Sequence, residues 1–496
     1  MIVLIKNQVQ IPIFRYRLNF VRTNDRGKVN GTGIKLLNFG VVKKNKSDRP
    51  LVLSRIETSG ILLKSKNIKY RQSSSTLFAY LKYQLTKQTH NRITSGKLWV
   101  TNAGELNIMT RVIFQPPKLR REECEDGERK VTWLELFFDL IFVVAIAQLA
   151  HNFHENFSLV GLAKLGLLFI PVWWCWIGAT FYDTRFDNDG LVDRLITLMQ
   201  MAIAASLAAN IHHGLSSSSV GFALSYIAFR GVLICQYLHA GYHVPQARLL
   251  TNWYAVGFTI SLLFWLTSVF VPLPWRFALW GLGLIIDFAT PLGAGPRVAK
   301  VPPNMAHTTE RIGLFTIIVL GESIVSVVGG VSELAWTPTS IAIALLGLSI
   351  AFSFWWMYFD TMDESPLHAM RLGKMTVALT WLYFYLSLAV GLTATGVGVE
   401  KMISSLGDDA ARGEKVLFCL AVALCLMILS NLHWTSCELG QTKCKKILTY
   451  YRLGAAAFVL SLALACNILS SLIVITLVAF ACTIQIVLDI FNTCEQ

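Results

Sequence analysis

Trp133-Leu-Glu-Leu-Phe-Phe-Asp-Leu-Ile-Phe-Val-Val-Ala-Ile-Ala-Gln-Leu-Ala-His151 decides how this chain folds. The stretch is apolar and long enough to enter a bilayer as a helix. It nevertheless carries Glu135 and Asp139, four residues apart and therefore on one helical face. A carboxylate at the centre of a membrane span costs roughly 2.5–3.5 kcal/mol or more, so an acid placed there points to function. The plainer alternative is that both acids sit near a surface, where water or a helix N-terminus satisfies them. Gln148 falls on roughly the opposite face, which argues against one polar groove along the whole helix.

Working outward, the composition agrees with a membrane protein. Of 496 residues, 54% are hydrophobic and 15% charged, against roughly 25% charged in soluble domains. The net charge of +14 is local. Residues 1–108 hold 20 Lys/Arg and 4 Asp/Glu, a balance of +16, so the remainder balances to 14 − 16 = −2. The basic charge thus gives no case for nucleic-acid binding by the whole chain. The ten cysteines are scattered without a Cys-x-x-Cys, and most fit the role of small hydrophobes in apolar spans.

Residues 1–108 lack helical periodicity and carry no secretory signal. They read either as a basic arm able to touch anionic lipid or as a translated leader upstream of a start at Met109, the reading favoured here. Residues 109–132 form a short cytoplasmic lead. From Trp133 onward, twelve apolar runs follow, at about 134–151, 159–181, 193–212, 220–241, 253–271, 275–292, 311–331, 339–359, 373–396, 415–434, 446–465 and 467–489. The expected fold is an all-α bundle of about twelve transmembrane helices, with one half over 133–300 and a second over 301–496. Twelve Lys/Arg fall in loops on the side of the N-terminus and five on the other, which places both termini in the cytoplasm. His212-His213 would face outward.

Trp173-Trp-Cys-Trp-Ile-Gly-Ala-Thr-Phe-Tyr-Asp-Thr184 ends the second span, and Phe354-Trp-Trp-Met-Tyr-Phe-Asp-Thr361 ends the eighth. Aligning Asp183 with Asp360 gives an offset of 360 − 183 = 177, which also places Arg194 on Arg371. An offset of six spans implies a parallel repeat, as between the halves of some secondary transporters.

Further polar groups lie inside the apolar runs. Arg230 is mid-span and needs a partner, for which Asp139, Asp287 and Glu322 are candidates. Asp287 follows Gly281-Leu-Gly-Leu-Ile-Ile. Glu322 sits between Gly321 and Ser323, where the glycine would allow a close backbone approach or a local helix break. Each acid could equally close an interhelical hydrogen bond. His239 and His243 have metal-ligand spacing but lack an evident third ligand, so an interfacial role is favoured. Asp183, Arg185, Asp187, Asp189, Asp193 and Arg194, with Glu310, Arg311, Asp360, Asp363, Glu364 and Arg371, read as charged loops at one surface. They are either a gate latched by ion pairs or ordinary solvated loops.

No P-loop, Rossmann glycine fingerprint, Gly-x-Ser-x-Gly or His-Glu-x-x-His occurs, so an enzyme is not expected and no cofactor or metal is implied. The first-span motif from Trp133 to Leu149 resembles the hallmark opening of the bacterial low temperature requirement protein A family. Phe181-Tyr-Asp-Thr-Arg-Phe-Asp187, Arg230, Gly321-Glu-Ser323 and the lead Phe114-Gln-Pro-Pro-Lys-Leu-Arg120 extend the resemblance over roughly residues 110–490. It implies a multi-pass inner-membrane protein linked by name to growth in the cold, without a settled activity.

The expected function is transport of an ion or small solute. The coupling ion could be a proton carried by Asp139, Glu135 or Glu322, with Arg230 as counter-charge or as contact for an anionic substrate, and Asp287 beside it. The alternative is a non-transporting sensor or assembly protein in cold adaptation. The expected partners are the lipid bilayer and an unidentified ion or solute, not nucleic acid, and the chain could form a homo-oligomer.

Overall fold

A computed structural model describes residues 115–120, 131–187, 190–332, 334, 337–361, 369, 374–405, 410–439 and 445–494. The N-terminal segment 1–108, Met109, Asp189, Asp363, Glu364 and Arg371 lie outside the described residues, as does the side chain of Asp360. The charged-loop and repeat readings at those positions therefore have no structural counterpart here.

Among the described residues, thirteen helices form. They are α1 Trp133–Glu155, α2 Leu159–Asp183, α3 Leu191–Ala209, α4 Ser219–His243, α5 Arg248–Val269, α6 Trp275–Ala294, the short α7 Pro296–Lys300, α8 Met305–Ser332, α9 Pro338–Thr361, α10 Met375–Ser404, α11 Arg412–Glu438, α12 Lys446–Ala465 and α13 Ser471–Cys494. All but α7 are long and apolar enough to cross a membrane. Large apolar side chains remain on the outside, among them Leu140, Val144, Val256, Ile285, Val328, Phe352 and Phe480. A soluble monomer rarely leaves such a surface uncovered, whereas lipid covers it at no cost. The protein is a multi-pass helical membrane protein.

Local chemistry sets the helix starts. At α1 a capping box closes the first turn: Thr132 N–H donates to Glu135 at 2.7 Å, and Glu135 N–H donates to the Thr132 hydroxyl at 3.3 Å. At α2 the Ser158 hydroxyl accepts from Gly161 N–H at 3.0 Å. Several boundaries differ from the hydropathy reading, the largest at the end of α10, which runs to Ser404 rather than 396. α5 starts at Arg248 and α8 at Met305, each about a turn or more earlier, because polar first turns dilute the apolar signal without preventing helix formation. α13 starts at Ser471, leaving residues 466–470 as a real turn after α12.

Within the first six spans the principal neighbours are α1·α2, α1·α3, α2·α4, α3·α4, α4·α5 and α5·α6. Displaced by six spans, the same six pairings recur as α8·α9, α8·α10, α9·α11, α10·α11, α11·α12 and α12·α13. This is the adjacency that a parallel duplication produces. The second half adds contacts without a first-half counterpart, of α9 with α10 and α13 and of α13 with α10 and α11. The halves meet where α1 and α2 pack on α8 and α10, and where α6 touches α10.

A two-residue antiparallel pair, β1 Lys118–Leu119 with β2 Phe186–Asp187, ties the lead to the end of α2. Arg120 N–H extends it by donating to the Arg185 carbonyl at 2.9 Å.

Candidate functional site

The face shared by Glu135 and Asp139 meets a matching face on α8. His307 and Arg311 are also four residues apart, and the two pairs align. Arg311 donates to Asp139 at 2.6 Å, with both side chains almost wholly buried. His307 Nε2 lies 3.2 Å from Glu135 Oε1. Trp176 on α2 donates its indole N–H to the same Asp139 oxygen at 2.8 Å. Asp183, at the end of α2, is a second and longer partner for Arg311 at 3.5 Å. Arg120 from the lead reaches Glu135 at 3.8 Å and Asp187 at 3.6 Å. This chain of charges joins the lead, α1 and α2 to α8 across the seam between the halves.

Two expectations are corrected here. Asp139 is not the partner of Arg230; it belongs to Arg311. Arg311 and Arg185, read as loop charges, are buried at 0% and 3% exposure. Because α8 begins at Met305, Arg311 lies six residues inside the helix and faces α1 rather than water. Arg185 is held by the carbonyls of Phe181 at 3.0 Å and Val301 at 3.3 Å.

Arg230 finds Asp287. Its NH2 donates to Asp287 Oδ1 at 2.6 Å, and Tyr226 donates its hydroxyl to Oδ2 at 2.6 Å. The guanidinium carbon stands 4.0 Å from the centroid of the Phe258 ring, a cation–π contact in a dry setting. Two of its donors, Nε and NH1, have no protein partner among the described residues. An unsatisfied buried donor costs roughly 1–3 kcal/mol, more on a charged group. Arg230 therefore sits at a site that an acceptor would stabilise.

That site has space beside it. A cavity of about 40 Å³ is lined by Arg230 and Tyr237 of α4, Trp174 and Gly178 of α2, Arg185, and Leu382 of α10, among others. It lies where helices of the first half meet α10 of the second. Gly178 keeps it open: a Cβ there would stand 2.9 Å from Leu233 Cδ2 and 3.1 Å from Arg230 NH1.

A sequence model described as "Bacterial low temperature requirement A protein (LtrA)" matches residues 130–488, well over half of the chain. The chain belongs to the bacterial low temperature requirement A family. An uncharacterized protein of Rhizobium meliloti (strain 1021) is 29% identical over 298 residues, covering 57% of this chain and 71% of that protein. No solved structure matches the chain.

Glu322 stands apart from both charge groups in this LtrA-family chain. It lies eleven residues beyond Arg311 on α8, about 16 Å along the helix axis. Glu400 on α10 is near enough to act on its charge and is itself 3.6 Å from His154. Glu322 is thus not a partner of Arg230. The expected role of Gly321 also changes, because α8 runs unbroken past it and a Cβ there would meet nothing within 4 Å. The close approach is made instead by Gly396 on α10, whose Cβ would fall 2.8 Å from Ser323 Cα.

His239 and His243 lie edge to face with ring centroids 4.6 Å apart, and no group of three metal-ligand side chains exists among the described residues. At the end of the bundle opposite Glu135, His212, His213, Glu155 and Lys164 border a cavity of about 280 Å³. There His151 and His212 flank Glu155 at 3.6 and 3.7 Å.

Sequence reasoning missed a third buried pair. Arg452 on α12 and Asp489 on α13 approach to 3.2 Å, at 0% and 3% side-chain exposure. Arg452 is one of the twelve Lys/Arg that the charge bias places in loops on the side of the N-terminus. Its position six residues after Lys446, inside an apolar run, is the signal that could have found it. Cys437, in the last turn of α11, is disulfide-bonded rather than a free apolar residue.

Proposed function

We propose that this protein transports an ion or small solute across the membrane, with the Arg230 cavity as its binding site. The observation that supports this most is a cavity at the seam between two similarly packed halves, walled by a permanently charged and incompletely paired guanidinium. Repeat-built transporters place their sites at such a seam and move one half against the other. Asp139–Arg311 and Glu135–His307 then latch the halves at one end. In this reading both termini face the cytoplasm, the protein resides in a bacterial inner membrane, and it carries out no chemical conversion.

A rival reading, a non-transporting sensor or assembly protein in cold adaptation, draws support from Glu135. That acid already serves a capping box and an ion pair, which are structural roles. A solute-flux screen on protein reconstituted in liposomes, with and without a proton gradient, separates the two. Transport predicts saturable flux of at least one solute above protein-free vesicles. Background flux across a panel of small cations, anions and neutral solutes would overturn it.

A further inference from the structure

We infer that the ligand of the Arg230 cavity is a small monovalent anion, of the size of chloride or nitrate. The inference rests on the site assigned above and names what fills it. The fully buried side-chain groups left unpartnered around the cavity are all donors. Nε and NH1 of Arg230 and the indole N–H of Trp174, on two side chains that line the cavity, lack a partner among the described residues. Both side chains are more than nine-tenths buried. A cation would require the reverse, acceptors aimed inward.

Charge agrees with this. Arg185 and Arg230 both line the cavity, and Asp287, which bonds Arg230 from the side, is not among the lining residues. The lining thus holds two guanidinium groups and no carboxylate, which favours a negatively charged ligand. Size agrees as well: about 40 Å³ has room for roughly three or four water-sized bodies, at 10–15 Å³ each, which favours a small ion.

The test is thermal unfolding of the purified full-length protein in detergent, with gluconate replaced stepwise by chloride or nitrate at constant ionic strength. A ligand that binds only the folded state raises Tm in a saturable way. The expected result is a saturable rise with chloride and nitrate and none when sodium is exchanged for choline. The neutral pair Arg230→Gln/Asp287→Asn keeps the shape of the ion pair without its charge and is expected to lose the shift. Trp174→Phe keeps the ring but loses the N–H, and is expected to raise the half-saturating concentration about tenfold. The inference is overturned if no anion-specific rise occurs, or if both variants respond like the wild type. An anion shift without flux in liposomes would overturn transport and leave the anion site standing. Flux of a cation with no anion shift would do the opposite.

Discussion

Asp139 on α1 and Arg311 on α8 meet at 2.6 Å with almost no exposed surface on either side chain. The pair crosses from the first half of the bundle to the second. It turns an acid that looked out of place in an apolar helix into a link between α1 and α8.

Breaking that pair from one side should be costly. Removing one member of a buried ion pair typically costs about 3–5 kcal/mol, because the other charge stays behind unpaired. Asp139→Asn should therefore lower Tm clearly, while leaving the protein in the membrane. Asp139→Asn/Arg311→Gln should recover much of the loss, since no buried charge remains at the pair. Thermal unfolding of the two single variants and the double variant gives the coupling directly. Additive losses would contradict a direct pair.

The indole of Trp176 should matter through its N–H. Trp176→Phe keeps an aromatic ring against Phe315, whose centroid is 4.2 Å away, but removes the 2.8 Å bond to Asp139. A hydrogen bond to a charged group contributes about 1.5–3 kcal/mol. The variant should fall measurably in Tm, and the loss should shrink when Asp139 is already Asn, whose amide oxygen still accepts the bond but carries no charge.

These two predictions depend on residues that were unequally visible in the chain. The spans were legible because lipid demands long apolar runs, and Arg230 and Asp287 were legible because they interrupt such runs. Arg311 and Arg452 were not. Arg311 lies six residues inside its helix, behind a polar first turn that hydropathy assigns to a loop, and Arg452 falls within the first two turns of the span at 446–465, where the charge bias counts it with the loops. Which acid each arginine takes was also hidden, because partners such as Asp139 and Arg311, 172 residues apart, are set by helix packing alone. Glu135 shows a local motif read only in part: Thr132-x-x-Glu135 is a capping-box pattern, and that is how the structure uses it.

At that N-terminus, Thr132→Ala should cost about 1 kcal/mol, the usual loss for an N-cap hydroxyl. Glu135→Gln should cost less than Glu135→Ala, because Gln can still accept from the Thr132 N–H. Comparing the three by thermal unfolding checks the order. Equal losses for Gln and Ala would show that charge toward Arg120 and His307, rather than capping, is what Glu135 supplies.

Orientation is tested independently of stability. Topology reporters fused after residue 496 and ahead of the first span should both report the cytoplasm, as the Lys/Arg bias requires. A reporter active outside the membrane at either end would overturn that arrangement.

The most direct test of the account is anion flux into liposomes containing the wild type or Arg230→Gln/Asp287→Asn at matched protein density. The account predicts saturable chloride or nitrate flux in the wild type and at least a tenfold loss in the neutral pair. Equal flux in both, or flux no greater than in protein-free vesicles, would contradict it.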